Sequence, residues 1–326
     1  MAQTRKPAQQ GVLQALSALS REFGDSTDFV IAGGGNTSAK IGSALHVKAS
    51  GTELAAADPS TFVALGRAAL DAVLKAEYPA DTDEREALVK RGMLRARLEP
   101  DRGGRPTVEA LLHNMISYTY VVHTHPWQVN ALTCAKDGPD ELRRAFDGIG
   151  LVVPYVDPGY ALAVRLNKEI RRFVGAHGRE PRLIFLQNHG LIVSADTPQE
   201  IRKLTSQVVA ACTPRIAALP GGRSPGRAAS ATDLAALVNV IRSTLSVDGR
   251  KTTTLLRSPL SDRFCASAAR FKQVAQPFTP DQIVYCRSHP LYAPFSHKGY
   301  IRALDAYRKK HGMDPYVVAL EGVGIV

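Results

Sequence analysis

Apolar residues follow a helical spacing at the start of the chain and a strand-like spacing soon after it. Residues 9–23 place apolar side chains three and four positions apart, which predicts an amphipathic helix that ends at Gly24. The apolar runs at 29–32 and 45–48 are each typical of a short strand. Glycines at 33–35 lie between them. The pattern therefore predicts a strand, a glycine turn and a second strand.

Strands and helices alternate from there to about residue 215. β-Branched and aromatic residues at 118–124 predict a strand, and a helix that starts near Pro106 would carry Glu109 and His113 one turn apart. This alternation predicts one α/β domain. Further helices are predicted at 59–75, 83–93, 127–135, 160–174 and 197–218, and further strands at 151–155, 182–187 and 191–193.

A turn-rich stretch at 220–226 marks the predicted domain boundary. Its prolines, glycines and serine favour a flexible connection over a helix or a strand. We therefore expect a domain at 1–218, a linker at 219–230 and a C-terminal extension at 231–326. Within the extension, the sequence predicts a helix at 231–245, an extended segment at 252–256 and strands at 283–286 and 316–320.

The charge of the chain bears on its partners more than on its fold. The formal net charge of +11 would attract a small anion such as a sugar phosphate or a sugar acid. The basic residues are dispersed among acidic ones without a recognised nucleic-acid motif, so we expect no nucleic-acid partner. No apolar run reaches the ~18 residues that cross a bilayer. We therefore expect no membrane partner and a cytoplasmic location.

Three histidines at the ends of predicted strands carry the candidate chemistry. Residues two apart in a strand point to the same face about 6.5 to 7 Å apart, so His123 and His125 can reach one ion. His189 follows another apolar strand, and Gly190 after it permits a sharp turn. Three protein ligands with one open position are typical of catalytic zinc, whereas structural zinc is closed by four. The histidines thus predict Zn²⁺ or another divalent ion such as Mn²⁺ or Co²⁺.

Six short motifs surround these histidines in a recognisable order. They are GGGNTS at 33–38, KASG at 48–51, PTVE at 106–109, HTHP at 123–126, VPY at 153–155 and NHG at 188–190. The series resembles the class II aldolase/adducin family across residues 28 to about 215. The likeness is strongest to the aldolase portion of bifunctional rhamnulose-1-phosphate aldolase/alcohol dehydrogenase proteins. One such motif would be a weak signal, whereas six in register are a strong one.

The resemblance implies a fold and an activity. The family fold is a three-layer α/β/α domain around a mainly antiparallel sheet, usually assembled as a tetramer with active sites between subunits. The implied activity is the reversible cleavage of a ketose 1-phosphate to dihydroxyacetone phosphate and an aldehyde. A zinc ion on the three histidines would stabilise the enediolate that remains when the carbon–carbon bond breaks.

The resemblance also implies roles for single residues. Glu109 matches the glutamate that moves a proton to or from the enediolate carbon. Tyr155 matches a tyrosine that a neighbouring subunit offers to the leaving aldehyde oxygen, although a packed strand aromatic would explain it equally well. The positions that match the family's phosphate cradle, or add charge to it, are Gly35, Asn36, Lys48, Ser50, Gly51 and Thr107.

The sequence leaves several alternatives open. Val108 stands where simpler sugar-phosphate aldolases carry a second serine, so Thr107 is the one hydroxyl in that motif. A sugar-acid phosphate decarboxylase or a sugar-phosphate dehydratase could use the same metal site. A non-catalytic module like the adducin head is a third reading, against which the three histidines weigh. His113 shares a helical face with Glu109 and either orients it or is a buried structural histidine.

A separate expectation concerns nicotinamide cofactors. The segments at 278–285 and 315–324 resemble the region that joins aldolase to dehydrogenase in the bifunctional relatives. A glycine-rich dinucleotide fingerprint followed by a helix is not found in the sequence. We therefore expect that this chain does not bind NAD.

Overall fold

The computed structural model describes residues 5–216, 230–246, 249 and 251–326. Contacts between residues divide the chain into two compact units, Met1–Ala217 and Ala218–Val326. The predicted linker at 219–230 lies outside the described residues except for Ser230.

A seven-stranded sheet forms the centre of the N-terminal unit. Its strands are β1 (Asn36–Ile41), β2 (Ala44–Lys48), β3 (Phe62–Gly66), β4 (Tyr120–Thr124), β5 (Gly150–Val153), β6 (Leu183–Leu186) and β7 (Gly190–Ala195). Their order in the sheet is β3-β2-β1-β4-β7-β6-β5. Among the described residues, every neighbouring pair of this sheet is antiparallel except β5 with β6. The mainly antiparallel sheet that the resemblance implied is therefore confirmed.

Helices cover both faces of the sheet and complete three layers. They are α1 (Arg5–Gly24), α2 (Arg67–Lys75), α3 (Thr82–Arg95), α4 (Ala110–Met115), α5 (Trp127–Thr133), α6 (Gly138–Ala145), α7 (Tyr160–His177) and α8 (Pro198–Ile216). One core, which contains Val122 and Phe185, joins the sheet to α1, α5, α6 and α8. The other, which contains Val121 and Ile184, joins it to α2, α3, α4 and α7. Since adjacent strand residues enter opposite cores, the pleat itself produces the α/β/α arrangement.

Most predicted helices correspond to observed ones. The predictions at 9–23, 83–93, 127–135, 160–174 and 197–218 match α1, α3, α5, α7 and α8, as far as the described residues extend. Helix α6 was not predicted, because its middle is a run of charged residues with few apolar positions. None of the helices in the described part of the chain is both long and apolar enough to cross a bilayer.

The strand predicted at 29–32 does not form, so this prediction is wrong. The segment turns, with Ala32 at φ 48°, and the carbonyl of Phe29 accepts a 2.7 Å hydrogen bond from the amide of His125. The ring of Phe29 packs edge-on against Phe23, with 5.0 Å between ring centroids. This apolar segment therefore packs against the end of α1 and hydrogen-bonds to the residue that follows β4, instead of joining the sheet.

The helix predicted at 59–75 is correct only in its second half. Asp58 caps a short 3₁₀ turn at Pro59–Thr61, and β3 follows before α2 begins. All five residues of β3 pair with β2. Pairing with this earlier strand overrides the local helical pattern, because strand formation depends on cross-strand packing more than on intrinsic preference.

The helix that carries His113 begins later than predicted. Pro106 forms an isolated β-bridge with Ala49, which keeps the chain extended at that point. Helix α4 therefore begins at Ala110, and Glu109 occupies its N-cap position. The shift places Glu109 at the junction of loop and helix.

The C-terminal unit is built around a small three-stranded sheet. Its strands are β8 (Leu291–Ala293), β9 (Val318–Leu320) and β10 (Gly324–Ile325), and its helices are α9 (Ala231–Thr244), α10 (Pro259–Cys265), α11 (Ala268–Phe271) and α12 (His297–His311). The sheet order is β10-β9-β8, with a core around the fully buried Tyr300. The extended segment predicted at 252–256 pairs only through Leu256, which bridges to Ile325.

The strand predicted at 283–286 is wrong, because these residues lie in a π-helical turn at Gln282–Cys286. The Gln282 side-chain oxygen accepts hydrogen bonds from the amides of Phe278 and Thr279, which tightens the turn. Ile283 and Val284 are exposed rather than buried in a sheet. The apolar residues at 283–286 thus predicted a buried strand, but this segment is neither a strand nor fully buried. The strand predicted at 316–320 is confirmed in its second half by β9.

Replacing Phe185 by alanine should destabilise the N-terminal unit by about 3–5 kcal/mol. Phe185 is fully buried in the middle of β6, and its ring lies 5.1 Å from that of Phe146 between centroids. The single tryptophan of the chain, Trp127, lies in the same unit, so its fluorescence during guanidinium denaturation measures this loss. The control Val174→Ala, on the exposed side of α7, should change the free energy of unfolding by at most about 0.5 kcal/mol. Equal effects of the two substitutions would contradict this description of the core.

Candidate metal centre

Three histidines converge at one end of the central strands. His123 lies in β4, His125 follows that strand, and His189 lies in the turn before β7. The Nε2 atom of His123 is 3.1 Å from Nε2 of His125 and 3.3 Å from Nε2 of His189. One ring nitrogen from each of the three lies within 4.8 Å of the others. The structure thus brings together all three histidines predicted as metal ligands.

The pairing of β4 with β7 and the tight turn before β7 set this geometry. His123 pairs with Ile192 across the two strands. In the turn, Asn188 adopts φ 55°, a left-handed conformation that asparagine tolerates better than most residues. A Cβ on Gly190 would lie 2.6 Å from both the Thr124 carbonyl oxygen and Cδ2 of His125. The absence of a side chain at Gly190 therefore lets the turn approach β4 closely.

A backbone carbonyl fixes the orientation of the central histidine. Nδ1 of His123 lies 3.0 Å from the carbonyl oxygen of Leu191, which can only accept a hydrogen bond. Nδ1 therefore carries the proton, and Nε2 turns its lone pair toward the other two imidazoles. Such a hydrogen bond behind a ligating histidine selects the tautomer and orients the ring in metal sites.

The carboxylate of Glu109 faces the same point. Its Oε2 atom lies 3.5 Å from Nε2 of His123, and its Oε1 atom lies 3.3 Å from Nε2 of His189. Asn36 donates a 2.6 Å hydrogen bond to Oε2 from its side-chain amide. Oε1 is buried and has no hydrogen-bond donor among the described residues. A buried carboxylate oxygen without a donor, beside three imidazole nitrogens, is suited to a cation.

The surroundings hold Glu109 in its ionised form. Burial alone would raise the pKa of its carboxyl group, but electrostatic interactions with His123 and His189, the hydrogen bond from Asn36 and the interaction with His125 together lower it from 4.5 to about 2. The pKa of His113 is also lowered, from 6.5 to about 3, by burial and then by its electrostatic interaction with His123, which keeps this imidazole neutral. A carboxylate and a neutral imidazole therefore lie side by side near neutral pH.

The spacing of the donors fits a divalent ion. Two nitrogens bound at 2.0 to 2.1 Å in tetrahedral geometry lie about 3.3 Å apart, close to the separations of His123 from its two neighbours. Among the described residues, these three histidines form the group of histidine, cysteine, aspartate or glutamate side chains whose ligand atoms are close enough together to hold an ion. His123, His125 and His189 would hold it, with Glu109 beside them.

The residues of the predicted phosphate cradle divide into two groups, and the first is buried against the metal centre. Gly35 adopts φ 66°, and a Cβ there would lie 2.9 Å from the carbonyl oxygen of His123. Asn36 is buried and bonded to Glu109. Lys48 is buried, and its ammonium donates to the carbonyls of Gly33 and Thr52. Lys48 thus joins two loops.

The ammonium of Lys48 is partly discharged by its position. Burial lowers its pKa from 10.5 to about 8, and the negative charges of Glu109 and Glu53 oppose that shift. The group therefore stays mostly protonated at neutral pH, and it adds positive charge near Glu109.

In the second group, Ser50 and Gly51 are exposed, whereas Thr107 is buried. Ser50 is exposed and its amide donates to the carbonyl of Arg105. The hydroxyl of Thr107 is directed to its own loop, where it accepts from the amide of Glu109 at 3.4 Å, and Gly51 continues the turn after Ser50. A depression beside Ser50 is lined by Ser50, Lys90, Met93, Leu94, Arg105, Pro106 and Val108.

Tyr155 lies in the loop that follows β5. Its side chain is 51% exposed, and its hydroxyl donates a 2.8 Å hydrogen bond to Asp157. This hydrogen bond, followed by burial and the charge of Asp157, raises the pKa of the phenol. The exposure is inconsistent with a packed core aromatic, and a solvent-facing phenol is available to another molecule.

Sequence reasoning did not single out Ser38. The hydroxyl of Ser38 lies 2.7 Å from Nδ1 of His113, in the interior of the unit. The sequence does indicate that Ser38 and Asn36 point the same way, because they are two residues apart in β1 and side chains alternate between the faces of a strand. The partner could not be identified from sequence, since α4 lies more than seventy residues later in the chain.

Comparison with known proteins agrees with this description. The Class II Aldolase and Adducin N-terminal domain family matches residues 14–215, well over half of the chain. The chain therefore belongs to this family.

Individual relatives show the same likeness. The structure of the N-terminal class II aldolase domain of a conserved protein from Thermoplasma acidophilum is 27% identical, covering 63% of this chain and 93% of that one, with a TM-score of 0.53. L-Fuculose-1-phosphate aldolase from Thermus thermophilus is 14% identical, covering 62% of this chain and 92% of that one, with a TM-score of 0.40, a likeness too remote to inform function.

A curated relative is much longer than this chain. The Bacillus subtilis (strain 168) protein named uncharacterized oxidoreductase YuxG is 26% identical over 186 residues, which are 54% of this chain and 25% of that protein. The chain thus spans about a quarter of the length of the curated relative that it matches.

Replacing Gly190 by alanine should weaken metal binding at least about tenfold, an effect in the range seen when ligand-orienting groups are lost. The new methyl group would displace the Thr124 carbonyl or the ring of His125. The affinity for Zn²⁺, measured by competition with a chromogenic chelator, tests this expectation. Gly175→Ala in α7 is the matched control, because a Cβ there meets no atom within 4 Å. An unchanged affinity in Gly190→Ala would show that the tight turn does not constrain the histidines.

Proposed function

We propose that this chain is a metal-dependent lyase that reversibly cleaves a ketose 1-phosphate, or a related sugar, to dihydroxyacetone phosphate and an aldehyde. The observation that carries the proposal is the convergence of His123, His125 and His189 on one point that Glu109 also faces. Membership of the class II aldolase and adducin N-terminal domain family supports it. The ion would be Zn²⁺ or another divalent metal such as Mn²⁺ or Co²⁺.

The ion, when bound, would supply a Lewis acid that stabilises negative charge on the substrate oxygens. Glu109 is the group placed to move a proton at the reacting carbon, because its carboxylate is ionised and lies beside the cluster. Asn36 holds that carboxylate through Oε2. The buried ammonium of Lys48 adds positive charge near this carboxylate.

Recognition of the substrate's anionic end would fall to the loops near Ser50, Gly51 and Thr107, together with Gly35 and the amide groups around it. Lys90 and Arg105 line the depression beside Ser50 and would draw a phosphate or carboxylate there. Tyr155 would act in a neighbouring subunit, protonating the leaving aldehyde oxygen. This role accords with its exposure, and it requires an oligomer, for which we propose a homotetramer.

The remaining expectations complete the proposal. The substrate would be a small anionic sugar or sugar phosphate in the cytoplasm, with no nucleic-acid or membrane partner. Residues 1–218 would form the catalytic domain, 219–230 a linker and 231–326 an extension of separate function. The non-catalytic adducin-like module has the weaker claim, because such a module has no use for three converging imidazoles beside an ionised carboxylate.

One observation favours a second candidate reaction on the same metal site. Val108 is 48% exposed beside Glu109, so it presents an apolar wall to the depression near Ser50 instead of a hydroxyl donor. A substrate whose anionic group is bound by Arg105 or Lys90 would tolerate that wall. Sugar-acid phosphate decarboxylation or sugar-phosphate dehydration is therefore the alternative to aldol cleavage.

Metal analysis of the purified chain is the first test. We expect about one divalent ion per chain in the wild type and its loss in His123→Ala, His125→Ala and His189→Ala, because each variant removes one ligand. His177→Ala in α7 is the control and should retain the ion. If the wild type stays metal-free after reconstitution with Zn²⁺, Mn²⁺ or Co²⁺, the proposed lyase is wrong and the interaction module becomes the better reading.

Replacing Glu109 by glutamine should separate proton transfer from metal binding. Removing the basic oxygen should lower turnover of the productive substrate by about 10²–10⁴-fold when metal is supplied at saturation, where the three histidines still hold the ion although its affinity is lower. A panel of ketose 1-phosphates, 3-oxo sugar-acid phosphates and sugar phosphates, assayed by mass spectrometry, identifies that substrate and the reaction. The exposed Glu99→Gln is the control. Full activity in Glu109→Gln would refute the role assigned to this carboxylate.

A further inference from the structure

A chain of four buried polar side chains leads from the metal centre into the interior. The side-chain NH₂ group of Asn36 donates a hydrogen bond to Glu109, and its side-chain oxygen contacts Nε2 of His113. Nδ1 of His113 in turn lies 2.7 Å from the hydroxyl of Ser38. The four residues are each at most 6% exposed. Because solvent cannot compensate for a wrong orientation there, the donors and acceptors must match along the whole chain.

The carboxylate end decides the direction of these hydrogen bonds. An ionised carboxylate only accepts, so Asn36 must turn its NH₂ group toward Oε2 of Glu109. The Asn36 carbonyl oxygen then faces His113 and needs a donor. A neutral imidazole has one N–H, which must therefore be on Nε2, and Nδ1 must accept from the hydroxyl of Ser38.

We propose that His113 is a positioning residue, held by Ser38 as the Nε2–H tautomer, which fixes the Asn36 amide so that it donates to Glu109. With Oε2 engaged in this way, Oε1 is left facing His189 at the metal centre. This inference rests on the proposed function insofar as the centre binds a metal. It assigns His113 no direct contact with the ion or the substrate.

The inference follows from what the opposite orientation of the amide would cause. With Asn36 reversed, its carbonyl oxygen would lie against Oε2 at the 2.6 Å now spanned by a hydrogen bond. Two acceptors at that distance repel, and the carboxylate would rotate away from His189. If residue 113 offers no hydrogen bond, nothing prevents the Asn36 side-chain amide from reversing. Removing His113 should therefore loosen Glu109 without removing any group that touches the ion.

The tautomer of His113 provides a direct test that needs neither metal nor substrate. In metal-free protein with ¹⁵N-labelled histidine, long-range ¹⁵N–¹H spectra distinguish an Nε2–H from an Nδ1–H imidazole. The nine histidines require assignment, and the signal that is missing in His113→Gln identifies His113. We expect the neutral Nε2–H form at neutral pH. An Nδ1–H form would reverse every donor in the chain and would overturn the proposal.

Metal affinity measures the consequence at the centre. His113→Leu should weaken Zn²⁺ binding by about 10–100-fold, the range for groups that orient metal-site residues. His113→Gln should stay within about threefold of the wild type, because a glutamine amide can place an N–H near the position of Nε2. His46→Leu is the matched control, a buried histidine in β2 that should have no effect on affinity.

The outcomes separate this inference from the proposed function. A folded His113→Leu variant, verified by Trp127 fluorescence, that binds Zn²⁺ as tightly as the wild type would overturn the positioning role while the metal site stands. Weak binding in the leucine variant with rescue by glutamine would support it. If the wild type binds no metal, the proposed function fails, and the tautomer measurement still decides whether His113 fixes Asn36.

Discussion

The register of β4 between its two neighbours is the constraint on which the metal centre depends. Asn36 of β1 lies opposite His123 on one side, and Ile192 of β7 lies opposite it on the other. A slip by one residue would turn the imidazole to the opposite face of the sheet. Because β4 is an inner strand, paired on both edges, hydrogen bonds on both sides resist such a slip. The centre is therefore attached to the most constrained part of the unit.

The polar groups around that strand are stable only as a set. Asn36, His113, His123 and Glu109 are buried in the interior of the N-terminal unit, where an unpaired polar group is costly. Their hydrogen bonds run to one another, to Ser38 and to the Leu191 carbonyl, whereas Oε1 of Glu109 has no donor among the described residues. The set thus has one negative, donor-free position at its outer end. A bound cation would complete it, so metal binding and local stability should reinforce each other.

Much of this arrangement can be predicted from sequence, and what cannot has a common cause. The long helices have a clear apolar period, and the spacing of His123 and His125 predicts a shared ion before any contact is known. The failures at 29–32 and 283–286 are short apolar runs, and in the first half of 59–75 pairing with β2 overrides a local helical pattern, so in each case contacts with other segments decide the structure. The chain from Ser38 through His113 escaped prediction for the same reason. Its members lie in β1 and α4, and only the folded sheet brings these elements together.

Burial differs between the polar groups nearest the three histidines and the loops outside them. The groups nearest the histidines are buried and bonded to one another, and even the ammonium of Lys48 is held by two backbone carbonyls. Ser50, Val108 and Tyr155 are exposed and lie on loops, where substitutions disturb no core. Changes in those loops can alter which anion is accepted while the carboxylate and imidazoles keep their geometry. Under the proposed function, one metal centre could serve aldol cleavage, decarboxylation or dehydration, and these exposed loops rather than the buried centre would determine the reaction.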